Sequence, residues 1–238
     1  MQQNQVVSPQ EWLAARKEFL AKEKEFTRLR DQLSQQRREL SWVKVDKEYV
    51  FEGPNGPETL SDLFAGRSQL IVYHFMYGPD WDEGCKSCSF MADNYDNIIV
   101  HLNQRDVTMV TISRAPLETL LAFQKRMGWH FKWLSSVNNE FNFDYHVSAT
   151  PEEMDNGEMY YNYRQNDFVM EEAPGASVFY KDEAGNIYHT YSTYERGLDM
   201  FLTAYHYLDL VPKGRDEDGR GMFWVRHHDK YENGNQGN

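Results

Sequence analysis

The sequence contains few cysteines, no long apolar run and no second Cys-x-x-Cys motif beside the one it has. No segment approaches the roughly 20 apolar residues that a membrane-spanning helix needs, so we expect no membrane partner. The first 17 residues lack the apolar core of a secretory signal. Two cysteines in 238 residues are also too few for a disulfide scaffold. We therefore expect a cytoplasmic protein.

Basic charge is scarce beyond the first 40 residues. Residues 1–40 hold 8 of the 25 Lys and Arg and 6 of the 37 Asp and Glu, so the remainder holds 17 against 31, a net charge of −14. An acidic body repels phosphate backbones and anionic lipids. We therefore expect neither nucleic acid nor a membrane surface as a partner.

Both cysteines, Cys85 and Cys88, fall in one Cys-x-x-Cys motif. The motif follows an apolar run (69–76) and a turn, at the predicted start of a helix. The unpaired N–H groups and positive dipole end of a helix N-terminus stabilise a thiolate, the reactive form of cysteine. Cysteines at this spacing can supply an attacking and a resolving thiol. In a cytosolic protein, the motif beside a strand–helix pattern indicates redox chemistry.

The chain is predicted to have three parts: an N-terminal helical arm (1–41), a central α/β domain (42–211) and a C-terminal tail (212–238). In the arm, apolar residues recur every seven positions, at Trp12, Phe19, Phe26, Leu33 and Leu40. This spacing predicts a long amphipathic helix. The helix would bury its stripe along the body of the protein, which we favour, or form a homodimer with the same stripe of a second chain.

The central domain is predicted to alternate strands and helices. The predicted strands are 69–76, 107–112 and 131–134, with hairpins at 42–52 and 177–191; the predicted helices are 86–104, 116–127 and one capped by Thr193 that runs to about residue 207. Polar residues 136–172 form a predicted insertion. A parallel strand pair joined by a crossover helix, then a hairpin and a final helix, predicts a thioredoxin-like fold: a mixed central sheet flanked by helices.

Several stretches carry a family resemblance. They are His-Phe-Met-Tyr (74–77), Gly-Cys-Lys-Ser-Cys-Ser (84–89), His-Thr-Tyr-Ser-Thr-Tyr-Glu-Arg-Gly-Leu-Asp (189–199) and Trp-Val-Arg-His-His-Asp (224–229). Together they resemble a bacterial thioredoxin-like family of predicted dithiol–disulfide oxidoreductases (domain of unknown function 899), related to the peroxiredoxin branch of the thioredoxin fold. The resemblance covers nearly the whole chain and implies the fold and the reaction class, but not the substrate.

Two departures distinguish the chain from better-known relatives. Peroxiredoxins place Thr or Ser three residues before the peroxidatic cysteine and proline seven before it, where this chain has Asp82 and Gly78, with Pro79 displaced by one. These departures weigh against peroxide reduction. Thioredoxins have a cis-proline before the strand that passes the disulfide, and Pro174 is the candidate here.

The predicted reaction is thiol–disulfide exchange, in which Cys85 attacks and Cys88 resolves. We expect Lys86 to stabilise the Cys85 thiolate and the carboxylates of Asp80, Asp82 and Glu83 to oppose it, which predicts a disulfide near the reducing end of the thioredoxin range. Further candidates for lining the site are Trp81, His74 and Arg114. The partners would be a disulfide or dithiol substrate and a reductant, with no cofactor.

Three alternatives stay open. The first is a thiol peroxidase of the peroxiredoxin type. The second is a metal site in which His74, His227 and His228 would complete the cysteine pair. The third is a non-enzymatic protein with a structural cysteine pair, acting through its amphipathic arm.

Overall fold

A computed structural model describes residues 4–231, and the end of the predicted tail (232–238) lies outside the described residues. The chain divides into two units, Met1–Ser41 and Trp42–Asn238. The first unit contains one continuous helix, α1 (Pro9–Arg38). It begins with a capping box: the Ser8 hydroxyl accepts from the Glu11 N–H, and the Glu11 carboxylate accepts from the Ser8 N–H.

The second unit is built on an eight-stranded mixed sheet. Its strands are β1 (Val43–Lys44), β2 (Val50–Gly53), β3 (Gly56–Thr59), β4 (Gln69–His74), β5 (Val107–Ser113), β6 (Lys132–Ser135), β9 (Gly175–Lys181) and β10 (Ile187–Tyr194), while β7 (Met159–Tyr161) and β8 (Arg164–Asn166) form a separate hairpin. The order of the strands in the sheet is β1-β10-β9-β4-β5-β6-β2-β3. The helices of this unit are α2 (Lys86–Tyr95), α3 (Ile99–Asn103), α4 (Leu117–Met127), α5 (Phe141–Asp144), α6 (Pro151–Asn156) and α7 (Thr203–Leu208).

The centre of the sheet has the predicted thioredoxin-like arrangement. Strands β4, β5 and β6 are parallel, and β9 and β10 continue the sheet as an antiparallel hairpin beside β4. The apolar runs of β4 and β5 are buried on both faces, as central parallel strands require. The fold class is therefore confirmed. No helix within residues 4–231 is long and apolar enough to cross a membrane.

Two apolar layers cover the two faces of this sheet. Successive residues of a strand point to opposite faces, so Tyr73 joins the layer that contains α2 and α4, while Val72 joins the other layer. His74 also lies on the second face, against the rings of Phe141 and Tyr145. The side on which a residue of β4 projects therefore decides whether it can approach the cysteines.

The predicted hairpin at 42–52 is wrong. Strand β1 pairs with β10 at one edge of the sheet, whereas β2 pairs with β6 and β3 at the other edge. Residues 45–49 therefore connect two strands that lie near opposite ends of the strand order. The alternation of apolar and polar residues identified two strands correctly, but such alternation carries no information about the partner of a strand.

Two predicted helices are also shorter than expected. The helix predicted for 86–104 consists of α2, a 3₁₀ turn (Asp96–Ile98) and α3. Thr193 lies inside β10 rather than capping a helix, and a 3₁₀ segment (Glu195–Phe201) precedes α7. The polar residues of 136–172 are ordered as α5, α6 and the β7–β8 hairpin.

Trp133 on β6 is the centre of an aromatic cluster in the apolar layer that contains α2 and α4. Its ring lies 4.7 Å from that of Phe75 and 5.6 Å from that of Phe131, and its indole N–H donates to the Ser113 hydroxyl. We expect Trp133→Ala to lower the free energy of unfolding by about 3–5 kcal/mol, because it leaves a cavity and removes the hydrogen bond to Ser113. Urea unfolding measures this change. Trp42→Ala is the control, because Trp42 is 48% exposed, and an equal loss in both variants would contradict the central role of Trp133.

Candidate active site

The cysteines are placed by the loop that joins β4 to α2. Within this loop the Met76 carbonyl accepts from the Cys85 N–H at 3.0 Å, and the Met76 N–H donates to Cys88 Sγ at 3.5 Å. Cys85 is the N-cap residue of α2, and Cys88 lies one turn inside the helix. Cys85 is partly exposed and Cys88 is buried, so the two thiols occupy different environments.

These environments shift the two thiol pKa values in opposite directions. The pKa of Cys85 is lowered to about 6, first by a hydrogen bond from the Cys88 side chain and then by the backbone N–H groups of Cys88 and Ser87, against the effect of burial. Burial, and then the hydrogen bond to Cys85, raise the pKa of Cys88. The pair therefore consists of a thiolate-forming Cys85 and a protonated Cys88 at neutral pH.

The charge around Cys85 differs from the sequence-based expectation. Glu83 was expected to oppose the thiolate, but its carboxylate forms ion pairs with Arg126 at 2.5 Å and with Lys230 at 2.7 Å. The hydrogen bonds from these two cations lower the pKa of Glu83. Glu83 is therefore a neutralised anion, which removes one of the three charges on which the prediction of a reducing disulfide was based.

His74 is not brought to the cysteines. It is buried on the other face of the sheet, where its Nε2 lies 2.8 Å from the Ser177 hydroxyl. Burial first, and then the nearby His189, lower the pKa of His74 to about 3, so the ring is neutral. His74 is thus a core histidine. The sequence of β4 predicts this placement, because the neighbouring residues Tyr73 and His74 must project from opposite faces of the sheet.

Trp81 and Lys86 both border the cysteine loop. The Trp81 indole N–H donates to the Glu171 carboxylate at 2.7 Å, which ties the loop to the end of the insertion. A side chain on Gly78 would collide with Trp81, since a Cβ there would lie 2.8 Å from its Nε1. Lys86 is the first residue of α2 and is exposed.

Pro174 directly precedes β9 and lines the same cavity as Cys88. Its peptide bond is trans, because the described residues contain no cis peptide bond, so the cis-proline prediction is wrong. The carbonyl of Pro174 accepts from the Tyr161 hydroxyl at 2.7 Å. The proline thus has the expected place beside the cysteines but a different backbone geometry.

Arg114 pairs with a buried acid rather than with a cysteine. Its guanidinium lies 3.0 Å from the carboxylate of Glu172 and 4.6 Å from the centre of the Phe143 ring. Burial raises the pKa of Glu172 to about 7, against the opposing effects of Ser148 and Arg114. This arrangement gives Arg114 a role in anchoring the insertion.

The C-terminal segment contributes contacts that the sequence did not predict. The His227 ring donates from Nε2 to the carbonyl of Gly84, the residue before Cys85, at 2.8 Å. Gly84 is tightly enclosed, because a Cβ there would lie 2.8 Å from Phe75. Trp224 packs on Phe90 of α2 at 5.5 Å between ring centres. From the sequence, the motif at 224–229 carries the family resemblance and reaches the cysteines only in the alternative of a metal site, and no local signal predicts its contact with a loop 143 residues away.

A cavity of about 360 Å³ borders Cys88 and Ser87. Arg196 is one of its lining residues. His189 on β10 lies on the other face of the sheet, against Tyr145. The cysteine pair therefore has an adjoining space large enough for a small ligand.

The residues proposed for a metal site do not converge. His227 contacts the Gly84 carbonyl, His228 contacts Asp93, and His74 lies on the other side of the sheet. Across residues 4–231, no three His, Cys, Asp or Glu side chains are grouped so that they could hold a metal ion.

The fold and the site define a thioredoxin-fold protein with two thiols at the start of the helix that follows its central strand. The chain belongs to the family described as "Bacterial protein of unknown function (DUF899)", which it matches over residues 1–231. None of the curated proteins matches the chain.

Similar solved structures include several peroxiredoxins. The peroxidoxin BcpB from Mycobacterium tuberculosis is 12% identical, with a TM-score of 0.44 over 69% of this chain and 93% of its own. Peroxiredoxin Q from Xanthomonas campestris is 12% identical, with a TM-score of 0.45 over 65% and 87%. A yeast mitochondrial 1-Cys peroxiredoxin is 14% identical, with a TM-score of 0.41 over 71% and 76%.

The hydrogen bond from Cys88 predicts how the Cys85 pKa responds to substitution. Cys88→Ala removes the largest lowering influence, so the pKa of Cys85 rises from about 6 towards its ordinary value of 9.0. Cys88→Ser retains a donor and has a smaller effect. The pH dependence of alkylation by iodoacetamide measures both. Ser87→Ala is the matched control, with a smaller rise, and an unchanged pKa in Cys88→Ala would show that the helix N–H groups suffice.

Proposed function

We propose that the protein is a thiol–disulfide oxidoreductase in which Cys85 attacks and Cys88 resolves. The observation that carries this proposal is the asymmetry of the pair: a partly exposed thiol with a lowered pKa at a helix N-cap, hydrogen-bonded to a buried thiol with a raised pKa. Attack requires an accessible thiolate, and resolution requires a second thiol within reach of the first.

The reaction consumes one disulfide and forms another. The Cys85 thiolate attacks one sulfur of the substrate, and the other sulfur leaves as a thiolate that takes up a proton. Cys88 loses its proton and attacks Cys85 Sγ, which releases the second substrate thiol. The protein dithiol is oxidised by two electrons and the substrate disulfide is reduced by two.

The lowered pKa of Cys85 also bears on the redox potential. A stabilised thiolate favours the reduced protein, which makes its disulfide a stronger oxidant. Pairing of Glu83 with Arg126 and Lys230 removes an opposing charge. We therefore expect a potential above that of thioredoxin, about −270 mV, by tens of millivolts, because one pKa unit corresponds to roughly 30 mV for a two-electron couple.

The observations favour this function over its alternatives. A peroxidase of the peroxiredoxin type would have Thr or Ser at the position of Asp82. The aspartate side chain has no hydroxyl group that could bind a peroxide. A structural cysteine pair would not require a partly exposed thiol with a lowered pKa. The partners in this proposal are a disulfide substrate and a thiol reductant that regenerates the dithiol, and the proposed location is the cytoplasm.

Trapping of the mixed disulfide tests the assigned roles. Cys88→Ser should accumulate a covalent adduct with a disulfide substrate such as oxidised glutathione, because Cys85 can attack but nothing resolves the adduct. Cys85→Ser should form little adduct, because Cys88 is buried. Intact mass after acid quenching detects the adduct. A redox titration of the wild type, followed by alkylation, should show one reversible two-electron couple.

The two variants control for each other, because each keeps one cysteine and one serine and they differ only in which position holds the cysteine. An adduct that forms preferentially in Cys85→Ser would reverse the roles. The absence of any reversible couple in the wild type would refute the oxidoreductase proposal altogether.

A further inference from the structure

The cavity beside Cys88 is built mainly from three separate parts of the chain. The cysteine loop and α2 contribute one side, the 3₁₀ segment Glu195–Phe201 the second, and the C-terminal segment the third. Its volume of about 360 Å³ lies within the range of small-molecule sites. Cys88 and Ser87 border the cavity and Cys85 does not line it, so a ligand held there adjoins the second thiol of the pair, three residues after Cys85.

Six aliphatic or methionine side chains line this cavity: Met76, Met91, Pro174, Leu198, Leu202 and Met222. Methionine is flexible and polarisable, so a wall of three methionines adapts to apolar groups of different shape. The cavity therefore offers apolar contact to a ligand that reaches the cysteines.

The charged residues of the cavity are already paired within the protein. Arg215 lies 3.2 Å from Asp199 and 2.9 Å from Asp209, and its guanidinium stacks 3.9 Å from the centre of the Tyr205 ring. Glu217 accepts hydrogen bonds from the Tyr205 hydroxyl and the Trp224 indole.

The two remaining lining charges follow the same pattern. Arg196 pairs with Asp199, and Glu195 accepts from the Asn162 amide and faces Arg164 at 3.6 Å. Because these charges are already paired, a charged ligand would gain less here than beside an unpaired charge, while the loss of its water remains costly.

We propose that this cavity binds an uncharged apolar arm of a small disulfide substrate, next to the sulfur that Cys85 attacks. The inference rests on the proposed function and deepens it, because it names the chemical class of the substrate. Exchange then proceeds as described above, and each arm of the substrate leaves as a thiol. Each methylene taken out of water should contribute roughly a fourfold gain in the second-order rate constant.

Two disulfides with the same carbon skeleton test this inference. Reduced wild-type protein is mixed with dipropyl disulfide or with 3,3′-dithiodipropionate, and each rate constant is divided by that of free dithiothreitol with the same reagent. We expect the normalised rate constant for dipropyl disulfide to be at least tenfold higher than that for 3,3′-dithiodipropionate. Met222→Gln should reduce this ratio severalfold, because it places an amide in the apolar wall.

Met200→Gln is the matched control, since Met200 is exposed and does not line the cavity. It carries the same charge as Met222→Gln, so general repulsion of the dianion by the acidic protein affects both variants equally. A ratio near one in the wild type, or an equal ratio in Met222→Gln and the wild type, would overturn the inference while leaving the oxidoreductase proposal intact.

Binding of an unreactive analogue separates the two proposals completely. Dipropyl sulfide has no disulfide bond, and calorimetry on the full chain measures its binding. If the protein reduces neither disulfide, the proposed oxidoreductase function fails. The proposal of an apolar binding site is still supported in that case if dipropyl sulfide binds the wild type more tightly than Met222→Gln. No binding in either protein would refute the apolar site.

A second inference comes from α1, taken by itself. With Trp12, Phe19, Phe26 and Leu33 at the a positions of a heptad, the d positions are Ala15, Lys22, Leu29 and Gln36, the g positions are mostly acidic and the e positions are mostly basic. Within α1 the g residues are Glu11, Glu18, Glu25 and Gln32, and the e residues are Arg16, Glu23, Arg30 and Arg37.

This pattern discriminates between the two orientations of a helix pair. In a parallel pair, each g residue faces the e residue five positions later on the partner, which brings Glu11 to Arg16 and Glu25 to Arg30, and one like-charge pair, Glu18 to Glu23. In an antiparallel pair, acidic g residues face one another. We infer that α1 forms a parallel two-stranded coiled coil with a second copy of this chain.

A charge exchange tests the parallel pair on the full-length chain. Light scattering should show a dimer for the wild type, a weakened dimer for Glu25→Arg, and restored dimerisation when Glu25→Arg is combined with Arg30→Glu. Circular dichroism checks that the helix persists in each. A wild type that stays monomeric at all concentrations, as expected if the stripe packs within one chain, would overturn this inference. It would also be overturned if the double variant dimerised more weakly than Glu25→Arg.

Discussion

The site depends on the backbone of Met76, which joins the end of the central strand to the start of the cysteine helix. Its carbonyl holds the N–H of Cys85 and its own N–H donates to the sulfur of Cys88. Both thiols are thereby fixed relative to the sheet by one residue. Its side chain also lines the cavity, so the same residue links the dithiol to the space beside it.

The difference between the two thiols follows from this attachment. Cys85 is held at the helix N-cap, where N–H groups reach its sulfur, while Cys88 lies one turn deeper among the side chains of the core. Burial of Cys88 keeps its proton in place, and that proton is the one donated to the Cys85 thiolate. The low pKa of one thiol and the high pKa of the other are thus two consequences of a single arrangement.

Sequence reasoning succeeded where the signal is local. The apolar runs of β4 and β5 predicted buried parallel strands, and Cys-x-x-Cys after such a strand predicted the thiol pair. It failed where the partner is distant: nothing near β1 or β2 shows that they occupy opposite edges of the sheet, and nothing near His227 shows that it binds the Gly84 carbonyl. The position of His74 was predictable in part, because strand alternation places it opposite Tyr73.

The two additions to the thioredoxin-like core act on the same short loop. The insertion holds it near Gly78, where the Glu171 carboxylate binds the Trp81 indole. The C-terminal segment holds its other end, where His227 binds the Gly84 carbonyl and Lys230 neutralises Glu83. A loop fastened at both ends loses less conformational entropy when Cys85 must be aligned for attack. The insertion and the C-terminal segment therefore belong to the catalytic apparatus that we propose, although neither contains a cysteine.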